Sequence, residues 1–101
     1  MLESSLESSM RLYSRACGGK AYKFISPGNP GVPDRICVFP GGAVVFVELK
    51  RPGRENGLSP QQEKTISYLH GLGFHVWVIN DLPDFKKRLA QEFGIGPVKK
   101  R

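Results

Sequence analysis

The sequence predicts a single mixed α/β domain with the element order α-β-β-β-α-β-α. Two β-rich runs joined by a proline-glycine turn indicate an antiparallel hairpin, and a capped helix followed by another apolar run indicates a right-handed crossover to a parallel strand. With 101 residues, the chain has room for one modest core. We assign residues 1–94 to the domain and residues 95–101 to a frayed basic tail.

The first helix is predicted from Glu3 to about Cys17 and is ended by Gly18-Gly19. Its apolar side chains recur at the spacing of one helical stripe: Leu2, Leu6, Met10 and Tyr13. Residues 21–25 alternate in polarity and predict a short strand, which runs into an irregular proline- and glycine-rich loop at residues 27–31.

The hairpin is predicted from the runs at residues 35–39 and 44–49, which are joined by Pro40-Gly41-Gly42-Ala43. The second run is apolar on both of its faces. This pattern is typical of a central strand that helices cover above and below.

The next helix has a strong start signal, with Ser59 as N-cap, Pro60 at the first helical position and Gln62 completing a capping box. It should end near Gly71. Residues 75–79 then form a buried strand, and a last helix runs from Asp81 to about Phe93, stopped by Gly94.

Composition narrows the function classes. The chain carries 15 Lys+Arg against 9 Asp+Glu, a net charge of +6, which favours polyanionic partners such as nucleic acid. Cys17 and Cys37 are too few for a disulfide framework or a zinc site, so we expect buried thiols. The acidic N-terminus and the lack of a long apolar run predict a soluble cytoplasmic protein with no membrane partner.

Glu48, Lys50 and Asp34 are the candidate chemical residues. Strand alternation places Glu48 and Lys50 on one face. A two-residue turn at Gly41-Gly42 would set Asp34 opposite Leu49, close to both but aimed at the wrong face. We therefore expect a three-residue loop, a bulge, or departure of Asp34 from the strand just after Pro33.

Two carboxylates and a lysine suit phosphodiester hydrolysis with a hard divalent cation, which polarises the phosphate and acidifies a water molecule. Lys50 would orient that water and stabilise charge. The plain alternative is a strand-end Glu-Lys ion pair beside an aspartate in a Pro-Asp turn, since short motifs are individually weak.

In combination, these motifs resemble those of a known nuclease superfamily. Gly31-Val32-Pro33-Asp34-Arg35 followed by Glu48-Leu49-Lys50, within this element order, resembles the PD-(D/E)XK nucleases. Adding Ser26-Pro27-Gly28 and the Ser59-Pro60-Gln61-Gln62 helix start, nearly the whole chain resembles the stand-alone phage and bacterial VRR-NUC proteins. The resemblance implies a restriction-endonuclease-like mixed sheet flanked by helices.

The resemblance also implies residue roles. Asp34, Glu48 and the Leu49 carbonyl would bind Mg²⁺ or Mn²⁺, and Lys50 would serve the attacking water. A further acid is expected on the first helix, and Glu7 matches better than Glu3. Capping offers an alternative explanation for Glu7, through Ser4-Ser5-Leu6-Glu7, and for Gln62, which would otherwise be an accessory catalytic residue.

The implied function is a metal-dependent DNA endonuclease in a bacterial cell or phage-infected host. The stand-alone members resemble Holliday-junction resolvases, so branched DNA and a homodimer with two active sites are expected. Arg35, Arg51 and Arg54 flank the site and would grip phosphates. Two rival functions are a non-catalytic nucleic-acid-binding module on a nuclease scaffold and a structural partner protein, although the latter leaves the clustered carboxylates unexplained.

Overall fold

A computed structural model describes residues 3–50 and 57–98 of the chain. The predicted element order is confirmed, with a short 3₁₀ turn inside the hairpin. The elements are α1 (Glu3–Ala16), β1 (Lys20–Lys23), β2 (Arg35–Phe39), the 3₁₀ turn (Pro40–Gly42), β3 (Ala43–Leu49), α2 (Pro60–Gly71), β4 (His75–Ile79) and α3 (Leu82–Phe93).

The four strands form one mixed sheet in the order β1-β2-β3-β4. The pairs β1–β2 and β2–β3 are antiparallel, and β4 lies parallel to β3 after the α2 crossover. The prediction that β3 is a central strand is therefore confirmed. Within the described sheet, β1 and β4 are the edge strands.

The hairpin connection resolves the register problem at Asp34. Phe39 pairs with Ala43 across the 3-residue turn Pro40–Gly42, so the loop has one residue more than a tight two-residue turn. The ladder then pairs Arg35 with Val47, and Asp34 precedes β2 at the level of Glu48. The expected three-residue loop is confirmed, and it turns Asp34 towards the face that carries Glu48.

The main core lies on one face of the sheet, under α1 and α3. Alternate residues of β3 point into it, and so do the apolar stripe of α1 and two side chains of α3. The fully buried members are Leu6, Met10, Val45, Val47, Phe85 and Leu89. The other face carries α2, which has no buried residue of its own but contacts the side chain of Glu48.

The helix ends follow the predicted capping chemistry. The Ser59 side chain accepts from the Gln62 N–H, and the Gln62 side chain accepts from the Ser59 N–H, so the capping box is complete. Asp81 caps α3, and Gly94 ends that helix in the left-handed conformation with φ 66°. Both cysteines are free and buried, as expected.

Three details differ from the sequence predictions. The strand β1 ends at Lys23 rather than at Ile25, whose side chain is largely exposed. The helix α1 already begins at Glu3, which places Ser4 inside the helix and removes the capping explanation for Glu7. Residues 95–98 are not frayed, because Ile95 packs against the core and the Val98 N–H donates to the Ala16 carbonyl over 2.8 Å.

None of the helices in the described ranges is long and apolar enough to cross a membrane.

Candidate active site

Glu48 is the centre of the site and is a buried carboxylate, with only 2% of the residue exposed. Its Oε2 atom accepts a hydrogen bond from Gln62 Nε2 over 2.7 Å and lies 3.2 Å from Lys50 Nζ. Its Oε1 atom is also buried and has no hydrogen-bond partner in the described part of the chain. A carboxylate oxygen buried without a donor is costly, so this atom marks a place for a cation.

Asp34 lies directly beside the end of β3. Its Oδ2 atom accepts a hydrogen bond from the Leu49 N–H over 2.8 Å. Its own carbonyl accepts from the Phe24 N–H over 2.8 Å, which continues the β1–β2 ladder past its last strand residue. The Asp34 backbone and side chain are thus both fixed by strand neighbours, and the carboxylate is held next to the Glu48–Leu49 peptide.

The electrostatics of Glu48 reflect this crowding. Burial is the largest effect that raises the pKa of Glu48, and the nearby charge of Asp34 raises it further. The hydrogen bond and the charge of Lys50 act in the opposite direction. Since Glu48 shares a partly dry site with a second carboxylate, an added positive charge would favour the ionised form of Glu48.

Lys50 follows β3 directly, and its backbone N–H donates to the Ile79 carbonyl over 2.9 Å. Its side chain is only 14% exposed. Besides Glu48, the ammonium group contacts Gln62 Oε1 at 3.3 Å and the Gly57 carbonyl at 3.3 Å. These acceptors hold the ammonium on the α2 face, within the same small space as the carboxylates.

Gln62 caps its own helix and also contacts the two charged side chains of the site. Its Oε1 atom accepts from the Ser59 N–H over 2.9 Å, which is the capping bond, and also from Lys50. Its Nε2 atom donates to Glu48. The first turn of α2 is therefore hydrogen-bonded directly to the site, and capping does not keep the Gln62 side chain away from Glu48 and Lys50.

The first-helix acid lies elsewhere. Glu7 Oε2 lies 2.8 Å from Arg35 Nη2 and accepts from Arg35 Nε over 3.1 Å. Arg35 also donates to the Ala21 carbonyl over 3.2 Å, and its side chain is 10% exposed. Within the described residues no three His, Cys, Asp or Glu side chains cluster as a metal site, so Glu7 does not join Asp34 and Glu48.

Arg35, for which a phosphate contact is predicted, does not lie beside the two carboxylates. The reason is strand alternation, which sends neighbouring side chains to opposite faces. Asp34 faces α2, so Arg35 points towards α1, where it pairs with Glu7 and anchors that helix to the sheet. The same alternation was visible in the sequence and was the signal that could have shown this.

Three of the expected residues lie outside what the structure describes. Arg51 and Arg54 fall in residues 51–56, and the side chain of Glu3 is also undescribed. The backbone N–H of Leu49 lies within the described range and donates a hydrogen bond to the Asp34 carboxylate.

The donor set fits a hard divalent cation. Such ions prefer carboxylate and carbonyl oxygens, and Asp34, Glu48 and the Leu49 carbonyl supply that chemistry at one end of β3. The buried Oε1 atom of Glu48, without a donor of its own, supports the fit. We conclude that the residues present could hold Mg²⁺ or Mn²⁺.

Comparison with known proteins gives the family. The chain is 42% identical over 78 residues to the "Putative nuclease p44" of Acyrthosiphon pisum secondary endosymbiont phage 1, a match that covers 77% of this chain and 82% of that protein. The chain belongs to this nuclease family. The fold is also that of a solved "VRR_NUC domain", with a TM-score of 0.78, 23% identity, and coverage of 90% of this chain and 96% of the other. No family model matches the sequence.

These findings confirm the resemblance on which the motifs converged and the restriction-endonuclease-like fold that it implied. The Pro-Asp motif of the sequence is Pro33-Asp34, and its Glu-x-Lys motif is Glu48-Leu49-Lys50. The structure brings these two motifs together with Gln62, whereas Glu7 and Arg35 form a separate pair on the other face of the sheet.

Proposed function

We propose that this protein is a metal-dependent DNA endonuclease whose active site consists of Asp34, Glu48, Leu49, Lys50 and Gln62. The observation that supports this most directly is the buried, unpartnered Oε1 atom of Glu48. It lies in a site that already holds a second carboxylate and an ammonium group. An ordinary strand-end ion pair would need no such arrangement.

The carboxylates of Asp34 and Glu48, with the Leu49 carbonyl, are the proposed ligands of Mg²⁺ or Mn²⁺. When bound, such a cation neutralises charge on a phosphate and lowers the pKa of a water molecule. Glu48 is suited to this role because Gln62 and Lys50 both hold its Oε2 atom, which leaves Oε1 directed at the remaining space.

Lys50 and Gln62 have different tasks in this proposal. The Lys50 ammonium is held by three acceptors, so it is preorganised to orient the attacking water and to stabilise negative charge on the phosphate as it develops. Gln62 is a positioning residue, because it fixes both Glu48 and Lys50 from the rigid first turn of α2. Glu7 is not placed among the site residues in this proposal, because its carboxylate pairs with Arg35 on the α1 face.

Plasmid cleavage tests the proposal. Supercoiled plasmid is incubated with the protein in Mg²⁺, Mn²⁺ or EDTA, alongside Glu48→Ala and Lys50→Ala. We expect nicking in the presence of metal and none in EDTA or with either variant. An exposed-site variant, Glu92→Gln, controls for the loss of a carboxylate. Cleavage that survives both active-site substitutions would rule out the assignment.

The rival function is a nucleic-acid-binding module without catalysis. Loss of catalysis on a nuclease scaffold would be expected to remove metal ligands, yet Asp34, Glu48 and Lys50 are all present and in contact through Leu49 and Gln62. Wild-type protein that binds DNA but cuts it in no metal would establish this rival.

We further propose a homodimer acting on branched DNA. The face of the sheet that carries α2 exposes several large apolar side chains, including Tyr68 at 65%, Leu72 at 57% and Phe74 at 44%. Burying such a patch against a second copy would stabilise a domain of this size. Two sites in one dimer would suit the cutting of two of the four strands of a four-way junction.

Two measurements test this extension. Sedimentation equilibrium should give twice the monomer mass, and Leu72→Glu should lower it towards the monomer. A synthetic four-way junction should be cut faster than linear duplex of the same sequence. Equal rates on the two substrates would remove the junction preference and leave the endonuclease proposal standing.

A further inference from the structure

A basic pocket of about 360 Å³ lies between α1 and the edge strand β1. Four exposed cationic side chains line it: Arg11 and Arg15 from the helix, and Lys20 and Lys23 from the strand. We call this cavity, with the four cationic residues that line it, the basic pocket. Buried Arg35 also lines it, but its charge is engaged by Glu7.

The sequence builds this pocket by two local devices. Arg11 and Arg15 are four residues apart, so they lie one above the other on the side of α1 away from its buried stripe. Gly19 then allows the chain to turn tightly from α1 into β1. A Cβ atom at Gly19 would lie 2.1 Å from the Val38 carbonyl oxygen, so a larger residue would force β1 away from β2 and open the pocket.

The charges of the basic pocket are not neutralised by any carboxylate in the described part of the chain. Among the side chains that the structure describes, none of the four cations forms an ion pair with a carboxylate. Lys20 Nζ instead lies 4.7 Å from the centre of the Tyr22 ring, and that ring is itself 50% exposed. Concentrated positive charge in a concave surface attracts an extended polyanion.

The basic pocket reaches the same end of the sheet as the proposed active site but opens on the α1 side, where Arg35 lies. Lys23 pairs in the sheet with Arg35, the residue after Asp34, and the next N–H along β1, that of Phe24, bonds the Asp34 carbonyl. Lys23 is therefore at the same end of the sheet as the two carboxylates. Lys20 lies about 10 Å further along the edge strand, at ~3.3 Å per residue, so the cations are spread along the β1 edge, around which a DNA strand would pass to reach the site.

We propose that the basic pocket binds phosphate groups of the DNA backbone flanking the cleaved bond. The inference rests on the proposed nuclease function, because that function puts a DNA strand at Asp34 and Glu48. Contacts of this kind are independent of base sequence and fix the register of the strand on the protein. Both arginines are suited to the role, since a guanidinium can contact two phosphate oxygens at once.

Salt-dependent binding tests the proposal. Fluorescence anisotropy measures the affinity of the protein in EDTA for a labelled duplex of about 30 base pairs, from about 50 to about 200 mM salt. The test variant is Arg11→Gln/Arg15→Gln. The control is Lys86→Gln/Lys87→Gln, which removes the same charge from α3, the helix packed beside the other edge strand. Circular dichroism melting checks that all variants fold.

The expected result is a loss of affinity of about 10-fold in the test variant, with the slope of log K against log salt smaller by about 2. Arg11→Lys/Arg15→Lys should restore most of the slope. The control should change the affinity by less than about 2-fold, because Lys86 and Lys87 are not among the residues that line the pocket. Equal losses in the test and control variants would reduce the effect to net charge and overturn the proposal.

Cleavage separates failure of this inference from failure of the proposed function. If wild type cuts plasmid but the test variant binds duplex as wild type does, the pocket inference fails and the nuclease stands. If the slope depends on the pocket but wild type never cuts, the pocket stands and catalysis fails. Displacement of the duplex by polyglutamate as effectively as by single-stranded DNA would indicate an acidic protein partner instead and overturn the proposal.

Discussion

Glu48→Gln should abolish the stabilisation of the protein by metal while leaving its fold intact. The substitution keeps the size of the side chain. It also keeps an oxygen that can accept the hydrogen bond from Gln62 Nε2, as Glu48 Oε2 does now. It removes the negative charge and can replace the unpartnered Oε1 atom with an NH₂ group. An NH₂ group cannot bind a cation, so one of the two proposed carboxylate ligands is lost.

The magnitude follows from linkage between binding and unfolding. At a free metal concentration of about 100 times Kd, wild type gains about 2.7 kcal/mol, or roughly 10–20 °C in Tm for a domain of this size. If the variant binds metal about 100-fold more weakly, the same concentration gives only about 0.4 kcal/mol. Without metal, the free energy of unfolding of the variant should differ from that of wild type by about 1 kcal/mol or less. The gain from removing a buried charge offsets the cost of an unsatisfied buried amide.

Differential scanning fluorimetry at pH 8 measures this, in EDTA and across a Mn²⁺ titration. Glu92→Gln serves as the matched control, since Glu92 is exposed on α3 and should retain the full metal-dependent shift. If Glu48→Gln is stabilised by Mn²⁺ as much as wild type, Glu48 is not a ligand, and the reasoning from its buried oxygen is refuted.

Three further predictions test other parts of the structure. Lys50→Met should reduce plasmid cleavage by at least about 100-fold yet keep the Mn²⁺-dependent rise in Tm; loss of that rise would make Lys50 a requirement for metal binding. Gly31→Ala should destabilise the protein by more than about 2 kcal/mol in urea unfolding, because its Cβ would lie 2.7 Å from the Gln61 carbonyl at φ +94°. Gly28→Ala, with φ +79° and no atom within 4 Å, should cost only about 1 kcal/mol, and equal costs would contradict the close-approach argument. Burial raises the pKa of Cys37 from 9.0 to about 12, so between these two pH values the folded state keeps a proton that the unfolded state loses. The free energy of unfolding should therefore fall by about 1.4 kcal/mol per pH unit in that range. Cys37→Ala should show a shallower fall.

The element order was predictable because its signals are local. The stripe of α1, the capping box at Ser59 and the glycine after α3 each act within a few residues, and each is found as expected. The hairpin was predictable for the same reason, down to the extra loop residue that the position of Asp34 required. What the sequence could not show was which distant side chains meet.

The pairing of Glu7 with Arg35 shows why. These residues are separated by 28 positions, and their contact depends on how α1 lies across the sheet, which no local pattern determines. An acidic residue on the first helix was assigned to the site through family resemblance, although alternation at Asp34 and Arg35 already directs Arg35 to the face of α1. The local rule of alternation therefore predicts the position of Arg35, whereas the position of Glu7 depends on the packing of α1.

Gln62 shows the opposite case, in which a local rule was correct but incomplete. A capping-box glutamine needs no further explanation, and helix capping alone would have closed the question. In the folded chain, the crossover that makes β3 and β4 parallel also brings the first turn of α2 over Glu48. One amide then caps the helix and orients both Glu48 and Lys50, so the stability of α2 and the geometry of the site depend on the same hydrogen bonds. Gln62→Glu should separate them, because a carboxylate can still accept from Ser59 and Lys50 but repels Glu48. We expect α2 to form while cleavage falls, and unchanged cleavage would show that the contact with Glu48 serves the fold alone.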